Sequence, residues 1–157
     1  MNPPKRDKKG QSSLELLITL AFGLIILLPI VLLAFIQISN SSATLAATTS
    51  QAAASKLASV AQSVASQGYP AKQLVLIQVP QNVKAVYVGT QSGAVGHEII
   101  FVVNTNAGPS YVTAYTPVNV SGSLSTITSQ GTYLINVSAQ SSCPANPLLS
   151  CVYITVS

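Results

Sequence analysis

The sequence predicts an α+β protein, in which a long N-terminal hydrophobic α-helix precedes a C-terminal head. This head is predicted to be an immunoglobulin-like antiparallel β-sandwich or small barrel. Three observations predict this fold class. An almost unbroken apolar run covers residues 14–38, and the stretch that follows it up to residue 67 contains neither glycine nor proline. Residues 69–157 then alternate short β-branched and aromatic runs with Gly, Pro, Asn and Ser, as in all-β domains.

The apolar run is long enough to cross a membrane. A helix rises about 1.5 Å per residue, and roughly 20 apolar residues cover about 30 Å of hydrocarbon. A basic cluster precedes the run and none follows it, which places the N-terminus in the cytoplasm and the rest of the chain outside. A secretory signal would have a shorter apolar core and a small-residue cleavage site just after it. We therefore expect a precursor inserted in the cell membrane.

The basic residues cluster before this run. Four of the seven Lys and Arg residues are Lys5, Arg6, Lys8 and Lys9. After Gly10 the chain has three lysines and two glutamates, a formal side-chain charge of +1. Binding to nucleic acid requires a basic stripe interleaved with aromatic residues across a folded surface, so we expect no nucleic-acid partner.

Within the membrane span, Gly23 and Pro29 interrupt the apolar pattern. Pro29 cannot donate a hydrogen bond to the carbonyl of Ile25, which predicts a bend or a local loosening of the helix. A functional kink in a packed filament and an incidental kink are both compatible with this pattern.

The helix is expected to continue to residue 67. Alanine is the best helix former, and apolar residues recur at helical spacing along one face. These residues are Ala46, Ala53, Leu57, Val60 and Val64. Gly68 followed by Pro70 is a stop signal. The segment outside the membrane would be a stalk that docks on the head or on neighbouring subunits; the alternative is a disordered linker.

Seven short runs in the head are predicted to be strands, at a spacing typical of an antiparallel sandwich or small barrel. They cover residues 73–79, 83–88, 98–103, 111–116, 124–128, 132–137 and 152–156.

The residue inventory argues against an enzyme. Charged residues make up 6% of the 157 residues, where about 25% is usual. Catalysis and metal binding draw mainly on His, Asp, Glu, Lys and Cys, and the only aspartate is Asp7. His97 and Glu98 are adjacent in a predicted strand, where neighbouring side chains point to opposite faces. We therefore expect no catalytic site, cofactor or metal.

The two cysteines, Cys143 and Cys151, enclose a short loop near the C-terminus. Outside the membrane, two cysteines and no others predict a disulfide that holds the loop beside the last strand. A metal or redox pair is the alternative, and it lacks further ligands and the CxxC spacing.

Three sequons of the N-x-S/T type begin at Asn40, Asn119 and Asn136. An extracellular surface with few charges needs another source of solubility, which N-glycans would supply. We expect Asn119 and Asn136 to be modified before Asn40, which lies on the stalk near the membrane.

The residues just before the apolar run resemble a known family. Lys8, Lys9 and Gly10 are followed by QSSLE at residues 11–15, which is similar to the Q-x-S-x-E start of many archaeal type IV pilin-like proteins. Over about residues 1–40 the chain resembles this family, including its class III signal peptide, a short basic leader that ends in glycine or alanine.

The resemblance implies how the chain is processed and used. A prepilin peptidase would recognise the end of the leader and cut between Gly10 and Gln11, removing residues 1–10. Residues 11–68 would then form the membrane span, filament core and stalk, below the head at residues 69–157. The mature chain would be a homopolymer held by its N-terminal helices, an extracellular adhesion filament assembled by a membrane platform and an ATPase.

Two other functions stay open on the sequence. One is an archaellin, a subunit of a swimming filament. The other is a membrane-anchored extracellular binding module that never polymerises.

Glu15 is the residue that the resemblance implies in assembly. A carboxylate in an apolar helix costs about 2.5 kcal/mol or more at membrane depth and usually has a partner. After cleavage the new α-amino group of Gln11, on the same or an adjacent subunit, is the nearest candidate cation. An ion pair there would favour one axial register, because an unpaired buried charge is heavily penalised. The alternative is a water-exposed Glu15 stabilised by the helix dipole.

Overall fold

The computed structural model describes residues 8–105 and 108–157, with side chains described from residue 13 onward. Over these residues the chain forms one helix followed by six strands. In order these are α1 (Lys8–Gln67), β1 (Lys72–Val79), β2 (Val83–Gly89), β3 (Gly96–Thr105), β4 (Gly108–Ser123), β5 (Gly131–Gln140) and β6 (Cys151–Val156).

The α+β class predicted from the sequence is confirmed. The strands form a single six-stranded sheet in the order β1-β5-β6-β4-β3-β2. All neighbours pair antiparallel except β4 and β6, which run parallel from Val120 to Ser123. The part of α1 from Ser41 onward covers the apolar face of this sheet. It takes the place of the second sheet of a sandwich.

Six of the seven predicted strands are present, and the strand predicted at residues 124–128 is wrong. This segment is a loop in which Leu124 and Ile127 are buried and the Ile127 amide donates to the Leu124 carbonyl at 3.0 Å. These apolar residues therefore contribute to the core from a turn. An apolar run at this position indicates burial and not strand pairing.

The chain divides into two compact units, one that ends at Asn40 and one from Ser41 to Ser157. The second unit contains all six strands and the C-terminal part of α1. Its helical segment buries one face against the sheet, in a core that includes Leu57, Val64, Ile77, Phe101 and Ile154. The segment predicted to be a stalk is thus a structural layer of the head.

The predicted apolar face of this helical segment is confirmed. Ala46, Ala53, Leu57 and Val64 are buried, and Val60 packs against the core while remaining partly exposed. Ala54, Ala58 and Ala61 are buried as well, so small side chains let the helix lie close to the sheet.

The helix ends where the sequence predicts. Gly68 has a φ of 73°, in the left-handed region that favours glycine at a helix C-terminus. Its amide donates to the carbonyls of Val64 and Ala65 at 3.2 and 3.1 Å. The chain then turns through Tyr69 and Pro70 into β1.

Candidate functional site

The N-terminal unit presents an apolar helix surface that the rest of its own unit does not cover. Every large hydrophobic residue between Leu14 and Ile38 is exposed. The helix is long and apolar enough to cross a membrane, by length and composition, and its most apolar stretch is entirely unburied within the chain. A contiguous apolar surface of this kind marks a contact with lipid or with another protein.

Polar side chains in this segment are few: Ser13, Glu15, Thr19 and Gln37. Glu15 is the only ionisable residue between positions 13 and 38, and its side chain is exposed. The hydroxyl of Thr19 lies within hydrogen-bond distance of the carbonyls of Glu15 and Leu16, at 2.9 and 3.0 Å. This hydroxyl is therefore satisfied within the helix. Glu15 supplies the single ionisable side chain on a surface that is otherwise mostly apolar.

Gly23 and Pro29 do not break α1, which is continuous from Lys8 to Gln67. Pro29 lies inside α1, and a Cβ at Gly23 would contact nothing within 4 Å. The helix therefore has open space on the Gly23 side, which is available to a neighbouring chain or to lipid.

The predicted processing site lies at the start of the helix. The backbone of Lys8, Lys9, Gly10 and Gln11 is helical, whereas their side chains lie outside the described residues, as does the whole of residues 1–7. Cleavage after Gly10 stays a prediction.

The predicted disulfide is confirmed. Cys143 and Cys151 are bonded, with their Cα atoms 5.4 Å apart. Cys151 begins β6, and the Cys143 amide donates to the Leu149 carbonyl at 2.8 Å. The loop is therefore held beside the last strand, and the side chain of Leu148 at its tip is 93% exposed.

The three sequons lie in regular structure. Asn40 is exposed on α1, whereas Asn119 on β4 and Asn136 on β5 are half-buried. The serines that complete the two strand sequons, Ser121 and Ser138, are 2% and 4% exposed. An enzyme that must reach all three residues of either strand sequon would have to act before the head folds.

A groove of about 660 Å³ opens in the second unit, beside the helix end and the disulfide. Its polar lining comes from Tyr69, His97, Asn119, Gln140, Ser141 and Ser150. The sequence does not predict this groove. These residues come from separate parts of the chain and share no common motif, so only the folded topology brings them together.

Within the groove, hydrogen bonds to backbone carbonyls orient two polar side chains. Nδ1 of His97 lies 3.2 Å from the Val118 carbonyl oxygen, and Nδ2 of Asn119 donates to the Ser150 carbonyl at 3.3 Å. The ring of His97 also lies 6.0 Å from that of Tyr115, centroid to centroid. The groove wall is thus built from side chains fixed by the sheet and by the disulfide loop.

Among known proteins, no family model, no curated protein and no solved structure matches the chain.

Proposed function

We propose that this chain is a structural subunit of an extracellular type IV pilus-like filament, which polymerises through its N-terminal hydrophobic helix and serves adhesion to surfaces or cells. The observation that carries the proposal is the exposed apolar surface of residues 14–38, next in sequence to a unit that has its own complete core. A folded head that needs no help from the apolar segment leaves that segment available for assembly.

Membrane and filament core are alternative solvents for the same side chains. Burial of apolar surface is favourable in either environment, at roughly 25 cal/mol per Å² removed from water. Because lipid is as apolar as a leucine side chain, helix association within the membrane depends on close packing and on polar contacts. The open space at Gly23 and the carboxylate of Glu15 are the features that would serve these two requirements.

The route that we propose begins with a precursor in the cell membrane, with its N-terminus in the cytoplasm. A prepilin peptidase removes residues 1–10, and a membrane platform with its ATPase extracts the mature chain into the filament. The leader sequence around Gly10 and the QSSLE string after it support this route.

A membrane-anchored binding module that never polymerises is the second candidate. The same single apolar helix favours it, since that helix is long enough to anchor a head domain. The two candidates differ in where the mature chain is found and in how it begins.

Intact-mass spectrometry of filaments sheared from the source cells tests the proposal. We expect a dominant chain that begins at Gln11. A chain that is absent from the sheared fraction and present only in membranes, with Met1 retained, would establish the anchored module instead.

The role of Glu15 is tested by replacing it with glutamine. Glu15→Gln should reduce filament yield by about ten-fold or more, because a missing buried ion-pair partner costs several kcal/mol. Glu98→Gln is the matched control, since Glu98 is an exposed acid in the head. Normal filament yield from Glu15→Gln would remove the carboxylate from the assembly mechanism.

A further inference from the structure

We propose that the groove beside the disulfide binds a neutral carbohydrate. Its volume of about 660 Å³ lies in the range of small-molecule sites, roughly 300–1,000 Å³. Two features of the groove support this ligand: the hydrogen-bonding atoms that its residues leave unused, and the absence of charged side chains among the described lining residues.

The hydrogen bond of His97 leaves one ring nitrogen, Nε2, as an acceptor for a ligand. A carbonyl oxygen can only accept, so the contact of Nδ1 with the Val118 carbonyl at 3.2 Å places the proton of the neutral ring on Nδ1. Nε2 then carries a lone pair. The backbone of β4 thereby fixes the tautomer of the imidazole.

The two amide side chains are oriented in the same way. Asn119 uses Nδ2 to donate to the Ser150 carbonyl, which leaves Oδ1. The hydroxyl of Ser138 donates to the Tyr153 carbonyl and so accepts from Nε2 of Gln140 at 3.2 Å, which leaves Oε1. Each amide therefore retains its oxygen as an acceptor and one N–H as a donor for a ligand.

Among the described residues, the lining includes no Asp, Glu, Lys or Arg. The groove therefore offers neither a carboxylate to a cation nor a cationic side chain to an anion. The matching ligand is uncharged and both donates and accepts hydrogen bonds, as the hydroxyl groups of a sugar do. The hydroxyls of Ser141 and Ser150 can donate or accept and so suit the same chemistry.

Tyr69 supplies an apolar platform at the rim. Its side chain is 67% exposed, although it borders the groove. An aromatic ring has a negative face, which suits the polarised C–H groups on the flat side of a sugar ring. Neutral donors and acceptors beside an aromatic face thus favour a carbohydrate over a simple apolar ligand.

The carbohydrate has two possible sources. It could come from another cell or surface, or it could be a glycan attached to Asn119, whose sequon lies in the groove wall. The biological meaning of an external ligand rests on the proposed adhesive role, but binding itself requires no filament.

The test uses the full chain, made in a host without N-glycosylation and held in a zwitterionic detergent that has no sugar head group. Saturation-transfer NMR is recorded with maltotriose, cellotriose and mannotriose, and with sialyllactose as the charged comparison. We expect at least one neutral trisaccharide to bind. Sialyllactose should bind about ten-fold more weakly or not at all, because burying its carboxylate in a groove without a cationic side chain is penalised.

Variants locate the binding site. Tyr69→Ala and Gln140→Leu should each weaken binding by about ten-fold, which corresponds to about 1.4 kcal/mol, and Tyr69→Phe should retain it. Tyr111→Ala is the control, because Tyr111 is an exposed tyrosine that does not line the groove. Circular dichroism establishes that each variant is folded, and Gln140→Ala removes the same amide if Gln140→Leu unfolds, with the same expected weakening.

The source is identified on chain purified from the native cells. If Asn119 carries a glycan, and this chain binds trisaccharide only after Ser121→Ala removes the sequon, the occupant is the chain's own glycan. If Asn119 is unmodified and the native chain binds, the ligand is external. Absence of binding by all three trisaccharides, or binding that the groove variants do not weaken, overturns the proposal. Filament formation is scored separately, so either proposal can fail alone.

Discussion

Lys56 and Leu76 join the helix to the edge of the sheet: Nζ of Lys56 donates to the Leu76 carbonyl at 2.8 Å, across 20 residues of sequence. Leu76 lies opposite Leu134 in the β1/β5 ladder, and the Leu134 carbonyl accepts from the Ser157 amide on its other side. This is therefore a non-hydrogen-bonded pair, and the Leu76 carbonyl faces the outer edge of β1. Lys56 occupies an edge that could otherwise pair with another chain.

Replacing Lys56 by methionine should loosen this edge while retaining most of the aliphatic stem. We expect the free energy of unfolding to fall by about 0.5–1 kcal/mol, the usual net value of one hydrogen bond. Urea denaturation of the detergent-solubilised chain measures this change. Lys84→Met is the control, since Lys84 is exposed on β2, and an equal loss in both variants would mean that the Leu76 contact contributes nothing.

Leu57 is a large side chain of α1 that lies fully inside the core, at 0% exposure. Leu57→Ala should lower the free energy of unfolding by about 2–5 kcal/mol, through lost apolar burial and the cavity left behind. Leu45→Ala on the same helix should change it by less than about 0.5 kcal/mol, because Leu45 is 66% exposed. Similar losses in the two variants would contradict the packing of this helical face on the sheet.

The fold was predictable where local pattern decides it. Gly68 ended the helix because a left-handed residue is needed there. The run around Val75 alternates as half-buried strands do, and the continuous apolar run around Phe101 is a strand buried on both faces. Leu124 and Ile127 misled because burial in a turn and burial in a strand leave the same apolar pattern. The order of the strands in the sheet could not be predicted from local pattern, because the parallel contact of β4 with β6 depends on long-range topology.

The candidate sites differ in the same way. The exposed apolar helix and the Cys143–Cys151 bridge follow from contiguous or closely spaced residues, which sequence patterns detect. The groove brings together Tyr69, His97 and Gln140 from distant parts of the chain. Such a site has no sequence signature, because it exists only after helix and strands have packed.

Thr116 has a buried hydroxyl that makes no hydrogen bond among the residues the structure describes. Burial of an unsatisfied polar atom costs about 1–3 kcal/mol, and valine has nearly the same shape. Thr116→Val should therefore raise the free energy of unfolding by about 1 kcal/mol. Thr113→Val, at an exposed position of the same strand, should leave it nearly unchanged; a loss of stability in Thr116→Val would reveal a partner for that hydroxyl, such as a buried water.

Gly122 lies in the parallel contact between β4 and β6. It pairs with Ile154 in the parallel ladder, and a Cβ at this position would overlap the Ile154 backbone carbonyl. Neither backbone can withdraw freely, because Ser121 and Ser123 on either side are paired with β6 as well.

Gly122→Ala should therefore cost about 3 kcal/mol, at the upper end for an overpacked site, and should remove the hydrogen-exchange protection of β6 amides. Gly131→Ala is the matched control, because its Cβ would meet the Tyr133 ring at an ordinary contact distance of 3.5 Å. That variant should be neutral or slightly more stable, since alanine loses less backbone entropy on folding than glycine. Equal stability of the two variants would contradict the parallel β4/β6 pairing, the contact that draws the C-terminal strand into the middle of the sheet.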